Sequence, residues 1–193
     1  MEDYYSLDLL IATNQRIPCQ FNLTVPGMGH LEGSNQRDIQ ANSVVEIPIW
    51  LASVLITSDN DDDYDDQQGF VKVQIPKQFN STIRNALYAS AKSVNLRTLA
   101  SNFNGAWYES GKVLLEMIED KNLREVLHKT LSSRMMDVMD LAARPPVSAT
   151  ATSAGTTAES EEFLNGLDAW EREMLGAGQE MSRRMRNWEK ARS

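Results

Sequence analysis

The stretch FLNGLDAWEREMLGAGQEMSRRMRNWE, running from Phe163 to Glu189, decides how this chain is read. Within it Phe163, Leu167, Trp170, Met174, Ala177, Met181, Met185 and Trp188 recur at steps of three and four. Such steps place all of these side chains on one face of a single long helix. Glu171, Arg172, Glu173, Glu180, Arg183, Arg184 and Lys190 fill the opposite, charged face. An apolar stripe holding two Trp and three Met has to be covered. The cover comes either from the chain's own core or from another protein, and periodicity leaves both open.

Upstream, residues 147–160 are rich in Ser, Thr and Ala without an apolar period, which predicts a loop. Pro145-Pro146 stops the helix before it. That helix spans Asn122 to Ala143, with Leu123, Val126, Leu127, Leu131, Met135, Val138 and Met139 apolar. Earlier helices are expected over Lys77 to Ala91, Asn95 to Asn102 and Trp107 to Ile118.

Residues 1–75 have a different texture. Tyr4 to Leu10 reads as a short helix with Ser6 as N-cap. In Ile17 to Val25, Ile17, Cys19, Phe21, Leu23 and Val25 alternate with polar residues, the pattern of a half-buried strand. Pro18 suggests a strand beginning or an edge. Pro26-Gly27-Met28-Gly29 is a turn. Extended pieces are expected at His30 to Glu32, at Ser43 to Ile47 and around Phe70, Val71, Val73 and Ile75, giving a small antiparallel sheet. Pro48 opens a helix to Ile56 that carries Trp50, Leu51, Val54 and Leu55. Six aspartates between Asp59 and Asp66 repel one another and predict a hydrated loop, 59–69. The fold class is therefore α+β, mainly α: a small β-rich domain over 1–75, then a helical domain over 76–193.

The chain has 193 residues, 41% hydrophobic and 24% charged, which suits a folded protein of one domain or two small ones. There is no apolar run long enough to span a membrane. The acidic start, Met1-Glu2-Asp3, lacks the basic character of a signal or transit peptide. Cys19 is the sole cysteine, so no internal disulfide forms and a reducing compartment fits. A net charge of −8 argues against binding nucleic acid by bulk electrostatics. Arg183, Arg184, Arg186, Lys190 and Arg192 are a local exception, read as a solvated helix back with cations near a C-terminus.

Motifs for chemistry are sparse. Two histidines and one cysteine far apart supply no zinc site. The aspartate run lacks the order and distal Glu of a calcium-binding EF-hand. Gly27-Met28-Gly29 lacks the third glycine of a dinucleotide fingerprint. Cys19 with His30 or His128 could form a nucleophile and base, yet Cys19 lies on its strand's apolar face as a small hydrophobe. Neither a nucleophile elbow nor a Walker A sequence is present. Met135, Met136 and Met139 suit core packing better than a cofactor box, although Met also suits adaptable interfaces. No catalytic residue, metal or cofactor is expected.

Several segments in order carry a resemblance. They are Tyr4-Tyr5-x-Leu7-Asp8, Ile17-Pro18-Cys19-x-Phe21, Val25-Pro26-Gly27-Met28-Gly29-His30-Leu31-Glu32 and Ile47-Pro48-Ile49-Trp50-Leu51-Ala52. At the other end come Phe163-Leu164-x-x-Leu167-Asp168-x-x-Glu171-x-x-x-Leu175 and Gln179 through Trp188-Glu189. Together they resemble the Psf-three subunit family of GINS, the four-subunit replication complex of eukaryotes, over nearly the whole chain. The resemblance implies two domains, β-rich then helical, and no enzymatic activity. It implies a nuclear scaffold that assembles with the Psf-one, Psf-two and Sld-five subunits. Through that complex it joins the Mcm ring, which hydrolyses ATP, and the Cdc-forty-five protein, with DNA contact at most indirect. On this basis the two long helices are expected to pack on neighbouring subunits. The candidate interface residues are Met135, Met139, Phe163, Leu167, Trp170, Met174, Met181 and Trp188. Trp50 and Leu51 are expected to knit the two domains together. Two competing readings are an adaptor that uses only the C-terminal stripe and an enzyme built on scattered residues such as Cys19, His30 and Asp38.

Overall fold

The computed structural model describes residues 7–33, 37–59, 70–103, 105–144 and 158–192. The expected Ser6 cap, the aspartate loop from residue 60 onward, Pro145-Pro146 and residues 147–157 lie outside them. The chain forms two compact units, Met1–Asn80 with Glu109–Lys121, and Ser81–Tyr108 with Asn122–Ser193.

The first unit holds α1 (Leu7–Thr13), β1 (Arg16–Phe21), β2 (Val44–Pro48), α2 (Ile49–Asp59) and β3 (Val71–Val73). The strands form one antiparallel sheet in the order β2-β1-β3. Alternation along β1 sends Ile17, Cys19 and Phe21 into the core, where Cys19 lies opposite Val45 on one side and Val73 on the other. The strand stops at Phe21, so Leu23 is exposed rather than part of the buried face. Val25 instead makes an isolated bridge to Ile39.

Pro18 sits in the central strand, not at an edge. Its carbonyl accepts from Gln74 on the β3 side. The nitrogen of the same residue faces that side too, where the β3 ladder begins only at Cys19, so the missing N–H leaves no gap. The strand expected at His30 to Glu32 is instead a 3-10 turn, Gly29–Glu32, closed by Gly33 at φ 70°, a left-handed conformation suited to glycine. Pro48 ends β2 and α2 begins at Ile49, whose N–H donates to Gln15. Ala12, Ile39, Ile47, Ile49, Ala52 and Val71 complete the core, together with Val113 and the partly buried Met117.

The second unit contains α3 (Ser81–Ala89), α4 (Leu96–Leu99), the start of α5 (Trp107–Met117), α6 (Lys121–Ala143), α7 (Ala158–Asn165) and α8 (Ala169–Arg192). The helix expected over Lys77 to Ala91 is divided. Lys77–Phe79 is a 3-10 turn, and Asn80 is extended before α3. The helix expected from Phe163 through Trp188 is also two helices. Asn165 ends α7, Gly166 turns the chain, and Asp168 starts α8. Phe163 therefore belongs to a different helix from Trp170.

Candidate assembly interface on the helical unit

Helix α6 buries Leu123, Val126, Thr130, Arg134, Val138 and Ala142. Two of those six are polar, and Arg134 is 0% exposed. Every N–H of its guanidinium is occupied. Nε donates to Glu171 Oε1 at 2.7 Å and Nη2 to Glu171 Oε2 at 2.9 Å. Nη1 donates to the carbonyls of Ala91 at 2.8 Å and Val94 at 3.1 Å, and Nη2 also reaches that of Gly166 at 3.3 Å. The Phe163 ring lies 4.6 Å from the guanidinium carbon. A two-pronged pair of this kind suits Arg better than Lys.

Glu171 is the matching surprise. It was expected on the solvated face of the C-terminal helix, and it is 2% exposed. Beyond Arg134 it accepts from Tyr108 Oη at 2.9 Å and from the Asp168 backbone N–H at 3.1 Å. Asp168 in turn accepts from the backbone N–H groups of Trp107 at 2.7 Å and Trp170 at 3.2 Å. Asp168 and Glu171 thus stand as N-cap and third residue of α8, a capping box that ties the helix start to α6 and to Trp107. Burial raises the Asp168 carboxyl to about 6 against the hydrogen bonds that favour its charge. Burial, then the neighbouring Glu171 carboxylate, pushes the Tyr108 phenol well above its ordinary value.

Inward burial of Glu171 and Leu175 aims the Met and Trp stripe elsewhere. At 100° per residue, Trp170, Met174, Met181, Met185 and Trp188 centre about 90° from the Glu171–Leu175 face. Trp170 is 50% exposed, Met181 66%, Met185 56% and Trp188 53%, while Met174 is half-buried. The Trp170 ring stands edge-on to that of Tyr108, with ring centres 6.3 Å apart. On α6, Met136 and Met139 are exposed and Met135 is half-buried, so two of the three methionines are surface residues and not core filler. Phe163 is half-buried against the cluster of Val138, Ala142, Leu167 and Leu175. Leu167, expected at an interface, is fully buried in that cluster.

Arg134 meets Glu171, and Ala142 lies so close to Gly178 that a Cβ there would approach it to 2.8 Å. Helices α6 and α8 therefore run side by side in the same direction. Helix α6 ends one residue later at Ala143, while α8 continues to Arg192, about 20 Å further. That extension contains no buried residue. Arg183, Arg184 and Arg192 are held locally. Glu180 pairs with Arg183 at 2.6 Å and Arg184 at 2.9 Å, and Arg192 lies over Trp188 at 4.7 Å.

In the first unit Trp50 is half exposed, and Leu51 packs against that unit's own core. Cys19 is wholly buried, and burial raises its thiol to about 12, far from a reactive thiolate. His30 and His128 are exposed. Asp38 accepts from the Gly27 N–H at 2.8 Å, a turn contact. The structure does not gather Cys19 and these histidines into a nucleophile and base. Among the described residues no cluster of His, Cys, Asp and Glu could hold a metal, and no helix is long and apolar enough to cross a membrane.

Helix α8 thus leaves Trp170 exposed beside its own bundle and carries Met181, Met185 and Trp188 exposed past the end of α6, an apolar surface of the kind that an assembly component presents. The model of the GINS complex protein helical bundle domain matches residues 78–190, and that of the PSF3 N-terminal domain matches residues 5–57. The DNA replication complex GINS protein PSF3 of Phaeosphaeria nodorum is 34% identical, with 97% of this chain and 96% of the relative covered. Its Schizosaccharomyces pombe counterpart is 31% identical over 99% of both chains, and that of Eremothecium gossypii is 32% identical over 96% of this chain and 97% of its own. The chain belongs to the PSF3 family of GINS complex proteins.

The buried network was missed by sequence reading. Asp168-x-x-Glu171 carries the capping-box spacing, so a signal for Glu171 was present. Arg134 falls at the helical step between Thr130 and Val138, but nothing in sequence names its partner.

Proposed function

We propose that this chain is a structural, non-catalytic subunit of a GINS heterotetramer in DNA replication. It assembles there with the Psf-one, Psf-two and Sld-five subunits. Through that complex it joins the Mcm ring and Cdc-forty-five in the replicative helicase of the nucleus. The single observation that carries this reading is the exposed Met and Trp stripe of α8 on a chain of this family. Trp170, Met174, Met181 and Trp188 are the proposed anchors, with Met139 and the partly covered Met135 and Phe163 beside them. Buried aromatic anchors dominate interface energetics, and obligate interfaces are apolar at their centre. Trp50 and Leu51 are proposed to link the β-rich domain, 1–75, with the helical domain, 76–193.

Co-expression with the other three subunits, followed by light scattering, tests the proposal. The expected result is a 1:1:1:1 complex. A chain that stays monomeric beside those subunits would overturn it. Trp170→Ala is expected to lower tetramer yield more than replacing the aspartates of 61–66 with Asn, and equal yields from both variants would count against α8 as the docking face.

A further inference from the structure

Helix α8 has two faces it could bury, and the structure buries the less hydrophobic one. The inward face offers Glu171, Leu175 and Gly178, while Trp170 and Met181 lie about a quarter turn away and are exposed, with Met174 half-buried beside them. Apolar area alone favours the opposite choice. What opposes it is polar: the five donors of Arg134, both oxygens of Glu171, the Tyr108 hydroxyl and the Asp168 cap. Rolling α8 to bury Trp170 would strand Arg134 without its carboxylate, and a buried unpaired charge is strongly unfavourable.

The geometry points to the Arg134–Glu171 pair as a rotational lock that holds the stripe of α8 outward. This rests on the stripe being the docking face, as proposed above. Arg134, Glu171 and Tyr108 are thus positioning residues: they touch no partner and set which face a partner meets. Glu171 and Asp168 are the acidic groups of this network, Arg134 is its buried cation, and Arg172 lies beside Gly105 at its rim. An ion pair used in this way contributes specificity more than stability.

Hydroxyl-radical footprinting of the full chain reads the two faces on native side chains. The variants are Arg134→Met/Glu171→Leu, which replaces the pair by apolar residues, and Glu171→Gln, which keeps size and removes charge. In the unaltered chain Trp170 should oxidise readily, the half-buried Met174 to an intermediate extent, and Leu175 should be protected. In the double variant the helical circular-dichroism signal should persist. Protection should change places, with Trp170 and Met174 oxidised at least about fivefold more slowly and Leu175 faster, as a two-state shift requires. Complex yield on co-expression should fall about tenfold, one decade of equilibrium. Glu171→Gln should shift each readout the same way, by less. Unchanged footprints in both variants would overturn the lock. So would loss of helix in both, because that describes a keystone whose removal melts the bundle. The footprint needs no partner: an exchange of protection with no assembly even in the unaltered chain would sustain the lock and refute the docking role.

Discussion

Arg134 is tolerated in the interior because every one of its donors is occupied. The corollary is asymmetry. Removing its carboxylate by Glu171→Ala should cost about 3–5 kcal/mol, because it leaves a buried charge unpaired. The ion pairs of Glu180 lie at the surface, and Glu180→Ala should leave the denaturation midpoint nearly unchanged. Urea unfolding of the full chain compares the two directly. Asp168 makes a pH-dependent counterpart. Its folded carboxyl, raised from 3.8 to about 6, binds a proton more tightly than the unfolded chain does. Its stabilising contribution is therefore fully present below about pH 4 and is lost as pH rises through about 6. Relative to Asp168→Asn, the parent chain should gain thermal stability between pH 7 and pH 5. A stability difference independent of pH over that range would refute the raised value.

At the scale of elements, the contact between Ala142 and Gly178 sets how closely α6 and α8 approach. Alanine is ordinarily worth about 1 kcal/mol more than glycine inside a helix. Gly178→Ala should lose that gain and destabilise, since its Cβ would sit 2.8 Å from that of Ala142. Ala142→Gly should rescue it, and thermal unfolding of both single variants and the double variant reads the coupling. The same helices show what sequence could and could not reveal. The extents of α5 and α6 were legible because proline and apolar spacing mark them. The buried positions of β1 were legible as far as the ladder runs, and failed at Leu23, where pairing had ended. The break at Gly166 was hidden because Phe163 and Leu167 happen to continue the step of α8. The inward faces of α6 and α8 were misjudged for one shared reason. Each contains a charged residue that only its partner on the other helix makes tolerable, and hydrophobic periodicity carries no information about such pairs.

Across the whole molecule, α5 matters to more than its own neighbourhood. Val113 and Met117 complete the core around Ile17, Phe21 and Ile47, although they lie far along the chain. A fragment ending at residue 80 should therefore lack cooperative unfolding, whereas the full chain keeps that core intact. Differential scanning calorimetry of fragment and full chain tests this, and a sharp transition in the fragment would refute it. The one thiol of the chain has a practical corollary. Maleimides and spin labels attack thiolates that water can reach, and Cys19 is sealed within the sheet core with its thiol raised to about 12. The native fold is thus a silent background for cysteine chemistry. A single cysteine placed at Ser182 or Asn187 of α8 would carry a dye alone, without prior removal of Cys19. Engagement of that helix could then be followed in real time on an otherwise unaltered chain.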